Sequence, residues 1–428
     1  MSEKKLFVNA SWIMVGRVFQ LALTFIATML VTRYLGPAEY GKITYVYSYI
    51  QLFLPLCTLG MNDIVVKELV DDRERNDEIL GTMITIRIIA SLVSMFCSVM
   101  LVHILNDGNV YLIIAILQSF GLLFQSFDGI MYFYQSKLLS KKSGLVYALS
   151  YVLTAIFRIV GILLKQDYRF FAWAMSLDFL VTAVLLVMVY RRDGHGFKVS
   201  LAMAKRLLSK SRYYIFAGLL VVIYGKVTDT LLLGKMVDET TVGYYSAATM
   251  LCNAWPFVLT AIIDSLSPVI IDTYKEDKEA FRKKLRQLYA MIFYISTLAA
   301  IMIGLLSRIV ILVAYGPDYL EASVPMKIYA WSTAFSYIGV ARTIWMQCEE
   351  KTHCETVISL YGAITSIVLN YLLISRYGII GAAIAAVLTQ FITNFLCLFA
   401  MKETKENAKL IADAILLRGV SDRRNSHV

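Results

Sequence analysis

Charge is scarce in this chain: 17% of its 428 residues are Asp, Glu, Lys or Arg, against 58% hydrophobic. That balance lies outside the usage of soluble domains. Glycine-rich phosphate loops and Walker motifs are missing, which excludes ATP as a direct energy source. The short alternating strands of a membrane β-barrel are missing as well. Cys57, Cys97, Cys252, Cys348, Cys354 and Cys397 fall mostly inside apolar runs without regular spacing. They read as small packing residues and supply neither a disulfide framework nor a metal cage. His353 beside Cys354 is too sparse for a zinc site, so neither a metal nor an organic cofactor is expected. Met1–Leu6, with Lys4 and Lys5, reads as a charged flank, without the short apolar region and small-residue cleavage site of a signal peptide.

What the chain has instead is long apolar runs. The first ends at Arg33-Tyr34-Leu35-Gly36-Pro37-Ala38-Glu39-Tyr40-Gly41, where Gly36-Pro37 and Gly41 break the helix and the chain turns back. Length and breaks in hydropathy predict twelve spans, near 8–33, 41–66, 80–105, 110–136, 144–164, 170–190, 214–236, 241–271, 288–314, 324–348, 356–375 and 379–401. The expected fold is an all-α integral membrane protein. Net charge is +10, and most of the excess lies in short loops on one side of these spans. The opposite loops hold only Arg33, Lys42, Lys165, Arg169, Lys235 and Arg376. Positive-inside retention therefore puts both termini in the cytoplasm and makes nucleic acid an unneeded explanation for the charge.

The longest loop divides the spans six and six, giving an N-terminal lobe 1–190, a cytoplasmic amphipathic linker 191–213, a C-terminal lobe 214–401 and a cytoplasmic tail 402–428. Within the linker, Leu201, Ala204, Leu207 and Leu208 share one helical face while Lys205, Arg206 and Lys210 lie elsewhere, as in a helix resting on the inner membrane surface. Leu410, Ile411, Ala414 and Ile415 suggest the same for the tail. A faint repeat, Leu231-Leu232-Leu233-Gly234 with Val242-Gly243-Tyr244-Tyr245-Ser246, echoes Tyr34-Leu35-Gly36 with Tyr40-Gly41. Two six-span repeats entering with one orientation are related by a pseudo-two-fold along the membrane normal and enclose a central cleft.

Several stretches resemble the bacterial polysaccharide flippases of the Wzx type, a family within the superfamily of the drug and toxin extruders and the lipid II flippase. They are Asn9 and Trp12, Arg33 through Gly41, Leu59-Gly60-Met61 before Lys67-Glu68, Asp229 through Leu233-Gly234, Val242-Gly243-Tyr244-Tyr245, and Tyr377-Gly378-Ile379-Ile380-Gly381-Ala382-Ala383-Ile384-Ala385. The likeness spans essentially the whole chain. It implies a transporter, not an enzyme, that moves an oligosaccharide carried on undecaprenyl diphosphate from the inner to the outer leaflet of the bacterial plasma (inner) membrane. It also implies alternating access between the lobes, with the first and seventh spans on the cavity. A polysaccharide polymerase and a chain-length regulator are the protein partners it suggests.

Twelve ionisable residues fall inside the predicted spans: Arg17, Asp63, Arg87, Asp128, Arg158, Asp178, Lys226, Asp229, Asp264, Arg308, Lys327 and Arg342. Each costs about 2.5–3.5 kcal/mol at the centre of a lipid-facing helix, so most must face water, a partner or a nearby surface. Asp63, Arg87, Asp264 and Arg342 near the cytoplasmic side, and Arg308 and Lys327 near the outer side, are within reach of snorkelling or water. Arg158 and Asp178 sit at similar depth in adjacent spans and suggest a structural ion pair. Arg17 and Lys226 are deeper, roughly 13 to 18 Å in at 1.5 Å per residue. They are candidates to offset the charge of a diphosphate. Gln20, Gln125 and Asn253 could bond sugar hydroxyls, and of Tyr45, Tyr47 and Tyr49 some could stack on sugars, with Tyr45 the first choice. Helix packing also explains each of these. Asp229, one turn beyond Lys226, either locks it or binds a coupling H⁺ or Na⁺, and Asp264 is a second carboxylate for that role.

Two rival functions remain. A multidrug exporter of the same superfamily would want an acid-rich cavity for organic cations. A membrane-embedded glycan polymerase or ligase would want a large, charged outer loop, whereas the longest here, near Tyr315 to Ser323, carries just Asp318 and Glu321.

Overall fold

The computed structural model describes the backbone of residues 3–419 apart from Arg73, and the side chains of Gln20 and of residues 22–419 apart from Asp63, Arg73, Tyr213 and Lys226. Every regular element among the described residues is helical. Seven helices there are long and apolar enough to cross a membrane. Packing divides the chain into two units, Met1–Val222 and Ile223–Val428.

The first unit contains α1 (Glu3–Leu52), α2 (Leu54–Thr58), α3 (Asn62–Asp71), α4 (Asn76–Leu105), α5 (Asn109–Gln125), α6 (Gly129–Ser136), α7 (Ser140–Leu163), α8 (Tyr168–Arg192) and α9 (Leu201–Val222). The turn expected after the first apolar run is a break inside α1 at Gly36, with φ 74° and ψ 169°. Only glycine adopts that conformation without strain, and Pro37 then opens the next helical segment where its missing N–H costs nothing. The second unit contains α10 (Thr228–Met236), α11 (Glu239–Cys252), α12 (Phe257–Glu276), α13 (Lys278–Ala314), α14 (Ser323–Tyr329), α15 (Ser332–Cys348), α16 (His353–Phe391), α17 (Cys397–Ala400) and α18 (Lys405–Ile415). Helix α16 repeats the device of α1 at Gly378, with φ 53° and ψ −129°.

The long helices bury small and polar residues and expose large aliphatic ones. On α4, Arg87, Ser91, Ser94 and Ser98 are buried while Ile89, Leu92, Val93, Phe96 and Ile104 are exposed. On α7 the exposed stripe is Leu145, Leu149, Leu153, Ile156 and Val160; Ser150, Thr154 and Arg158 are buried. On α16, Ser359, Ser366 and Asn370 face inward and Leu360, Ile364, Ile367 and Tyr371 outward. Such helices suit hydrocarbon as solvent, because small interior residues let backbones approach and interior polar groups find partners.

The segment joining α8 to α9 is tied along the start of α4. Gly196 N–H donates to Asp77 Oδ2 at 3.0 Å, Lys198 N–H to Asp77 O at 3.0 Å, and Ser200 N–H to Thr82 Oγ1 at 3.0 Å. The first turns of α9 bury Met203, Leu207 and Ser211, while Leu201 and Leu208 are 74% and 40% exposed. The protein-facing edge is thus rotated from the predicted Leu201–Ala204–Leu207–Leu208 face and shares Leu207 with it. Arg206 and Lys210 both pair with the buried carboxylate of Glu68. At the start of the segment, Lys142 Nζ binds Asp193 at 2.6 and 2.8 Å and Tyr134 O–H donates to it at 2.9 Å. Lys142 foremost, then Tyr134, holds the Asp193 carboxyl below its ordinary value against partial burial. A depressed carboxylate stabilises the fold above its unfolded pKa and loses that contribution as pH falls through the folded value, here below about pH 4. Because the pair is solvated, Asp193→Ala is expected to cost under about 1 kcal/mol at neutral pH and less as pH falls below about 4; thermal melts at neutral and acid pH check this.

The tail does not match its expectation of resting on the membrane surface. Ala408, Leu410, Ile411 and Ala414 are buried in the core of the second unit. Asn407 donates to Tyr289 at 2.8 Å, Arg282 pairs with Glu406 at 2.6 Å, and Tyr294 O–H donates to Ile415 O at 2.7 Å. The apolar stripe read as lipid-facing is used to dock α18 on α13.

Candidate functional site

Arg17 and Lys226, the two deep cations singled out by the sequence, lie outside the described side chains. Around their positions the helices carry a polar interior in each unit.

In the first unit, α7 turns Tyr147, Tyr151, Thr154 and Arg158 to one side, at intervals of three and four residues. Gln20 on α1 donates to the Tyr151 hydroxyl. Tyr147 and Tyr151 stack with centroids 6.2 Å apart, and the Tyr147 hydroxyl approaches Asp128 at 3.5 Å. Gln20, Gln125, Asp128, Tyr147 and Tyr151 are all half-buried. Beside them, Tyr47, Gln51, Gln118, Gln125, Met175 and Phe179 line a cavity of about 20 Å³. That is room for one or two waters. Gln118 spends its amide N–H groups on Ile43 O and Met175 Sδ, each at 3.2 Å. Its buried Oε1 finds no protein partner among the described residues.

Arg158 pairs with Asp178, as their depth suggested. Arg87 departs from expectation. Rather than snorkelling, it is 1% exposed and donates to Asn62 Oδ1 at 2.6 Å, with Asp128 and Tyr132 close enough to interact. Arg342 likewise stays inside at 3% exposure, bonding Glu355 at 3.0 and 3.3 Å and Asn394 at 3.3 Å. Arg308 and Lys327 are exposed. Tyr45 is 1% exposed; its hydroxyl donates to Asn106 Oδ1 at 2.7 Å and meets the Tyr49 hydroxyl at 2.7 Å. It closes the end of α4, so of the tyrosine cluster it is Tyr47 that reaches a cavity.

In the second unit Asp229 is the centre. It is 1% exposed and accepts from Tyr245 O–H at 2.6 Å and from Asn370 Nδ2 at 2.7 Å. Just before it, the chain Ile223–Val227 is a π-helical segment with a non-helical Gly225, φ −64° and ψ −108°. A break of this kind frees backbone carbonyls at membrane depth and is tolerated where a function uses it. Across from it, Gly362 lets Tyr224 and Thr393 approach closely. Asn370 is not among the carboxamides singled out from the sequence; its signal is that it stands alone in an apolar run. Asn253 is exposed and interacts with the Tyr329 hydroxyl. Asp264 is exposed on α12 and does not join the Asp229 cluster.

The fold is one that membrane exporters share. A structure described as lipid II flippase MurJ, inward closed conformation, superposes with a TM-score of 0.71 at 13% identity, covering 97% of this chain and 92% of that one. An inward-facing multidrug resistance transporter of the MATE family, in the MOP superfamily, superposes at 0.68 with 14% identity, covering 93% and 96%. The chain belongs to the polysaccharide biosynthesis protein family, whose sequence model matches residues 6–274. Among relatives, it is 19% identical over 391 residues to the capsular polysaccharide biosynthesis protein CapF of Staphylococcus aureus, covering 90% of this chain and 96% of that one. It is 28% identical over 180 residues to the probable flippase AglR of Haloferax volcanii, covering 40% and 37%.

Proposed function

We propose that this protein is a flippase that carries an undecaprenyl-diphosphate-linked oligosaccharide from the inner to the outer leaflet of the plasma membrane. The observation that carries the reading is a polar, half-buried surface inside apolar helices in a member of the polysaccharide biosynthesis family. Gln20, Gln125, Asp128, Tyr147 and Tyr151 share helices whose other sides are aliphatic. Partly open polar groups at that depth imply water rather than lipid beside them.

In this reading there are twelve spans. Breaks at Gly36 and Gly378 each turn one long helix into two crossings. Two six-span lobes, joined by the 191–213 strap and related about the membrane normal, alternate their opening while the polyprenyl tail stays in lipid. Arg17 and Lys226 offset the diphosphate charge, and side-chain amides and hydroxyls bond the sugars. Coupling to H⁺ or Na⁺ falls to Asp229, which Tyr245 and Asn370 hold at full burial. No covalent chemistry is involved, and a polymerase with its chain-length regulator would take the product.

The MATE likeness supports a second reading, an exporter of organic cations. Deleting the gene separates them: the flippase reading predicts lost surface glycan with unchanged dye resistance. Arg17→Ala is expected to abolish glycan export with normal membrane insertion, and Arg17→Lys to restore part of it, since charge survives but the guanidinium fork does not. Full surface glycan in the alanine variant would remove Arg17 from the route.

A further inference from the structure

The pair His353–Cys354 opens α16, and the turn after α17 brings Glu403 onto it. His353 Nε2 lies 2.7 Å from Glu403 Oε2; Cys354 Sγ lies 3.3 Å from the same oxygen and 3.6 Å from His353 Nε2. The three ligand atoms all fall within 4.8 Å of one another. From this arrangement we infer that His353, Cys354 and Glu403 form a binding site for zinc, a role outside glycan transport.

The donor set is the first reason. An imidazole nitrogen, a thiolate and a carboxylate oxygen are the ligands zinc takes, and three protein ligands leave a fourth tetrahedral position for water. Magnesium and calcium prefer all-oxygen shells, so the thiol and imidazole select against them.

Spacing is the second. Bonds of about 2.3 Å to sulfur and 2.0–2.1 Å to nitrogen or oxygen put tetrahedral partners about 3.6 Å apart for the sulfur pairs and about 3.3 Å for nitrogen and oxygen. The sulfur is already within about 0.3 Å of both ideal separations. Only the His353–Glu403 contact must open, by roughly 0.6 Å, when a metal replaces its hydrogen bond. Those two side chains are 65% and 55% exposed and free to adjust.

Preorganisation is the third. Cys354 is 1% exposed and packs in the core of its unit, which makes it the fixed member. The turn bearing Glu403 is held independently of any metal. Thr404 Oγ1 donates to Leu398 O at 2.8 Å, and Lys351 Nζ donates to Glu403 O at 2.9 Å while lying 4.6 Å from the Trp345 ring. A bound ion would fasten the start of α16 to the turn that leads into α18, and so secure the docked tail.

Cobalt is the probe, because a thiolate bound to Co²⁺ gives a charge-transfer band. Purified full-length protein in detergent should take up one Co²⁺ per chain with that band, lose it to equimolar Zn²⁺ and keep it in excess Mg²⁺. Cys354→Ser should abolish the band. His353→Ala and Glu403→Gln, both at exposed side chains, should weaken cobalt affinity at least tenfold with unchanged melting of the metal-free protein. A band that survives Cys354→Ser, wild-type affinity in both exposed variants, or no uptake by the wild type would overturn the assignment.

Discussion

Glu355→Ala is expected to cost about 3–5 kcal/mol of stability, the loss that follows when one member of a buried ion pair is removed. The guanidinium of Arg342 is 3% exposed and spends Nε and Nη2 on the two oxygens of Glu355 and Nη1 on Asn394. Without the carboxylate, a buried cation keeps a single neutral acceptor. That acceptor is part of a chain, since Asn394 Nδ2 donates to Gln390 at 2.8 Å. Glu355 is 32% exposed, so entering water softens the loss toward the lower figure. Replacing both residues together, Arg342→Met with Glu355→Leu, should recover most of the stability, because the expensive species is the lone charge and not the missing bond. Thermal unfolding in detergent measures both. A single-variant loss below about 1 kcal/mol would mean that water already reaches Arg342.

Asp229→Asn is expected to lower gradient-driven transport by about 5- to 150-fold, the range of a coupling free energy of 1–3 kcal/mol. Asparagine keeps the shape of the side chain, and the Tyr245 hydroxyl can turn from donor to acceptor, so the fold should survive with a modest loss. What disappears is the charge that a proton or Na⁺ would meet. Vesicles should therefore show wild-type cargo binding with transport that no longer responds to the gradient. If collapsing the gradients leaves wild-type transport unchanged, Asp229 has no coupling role and its burial is structural.

Helix type was plain in the sequence because apolar runs of this size have few other readings; helix length was not, since the predicted runs 41–66, 241–271 and 324–348 are each interrupted, at 53 and 59–61, at 253–256 and at 330–331. The break at Gly36-Pro37 was equally plain, since both residues act locally. Arg158 with Asp178 could be paired because a short loop fixes their relative depth. Partners that come from distant helices could not be read: Asn394 for Arg342, Asn370 for Asp229, Glu403 for His353 and Cys354. Each needs the third dimension. Tyr45 and the tail misled for the same reason, an exposed role having been inferred for groups whose partners, Asn106 and α13, lie far along the chain.

The most direct measurement is flipping itself. Purified protein in liposomes is supplied with a fluorescent undecaprenyl-diphosphate-linked oligosaccharide in one leaflet, and arrival in the other is read with a membrane-impermeant quencher. The account predicts transfer well above protein-free liposomes and its loss in Arg17→Ala. Transfer no faster than in empty liposomes, from a preparation that moves organic cations, would contradict it.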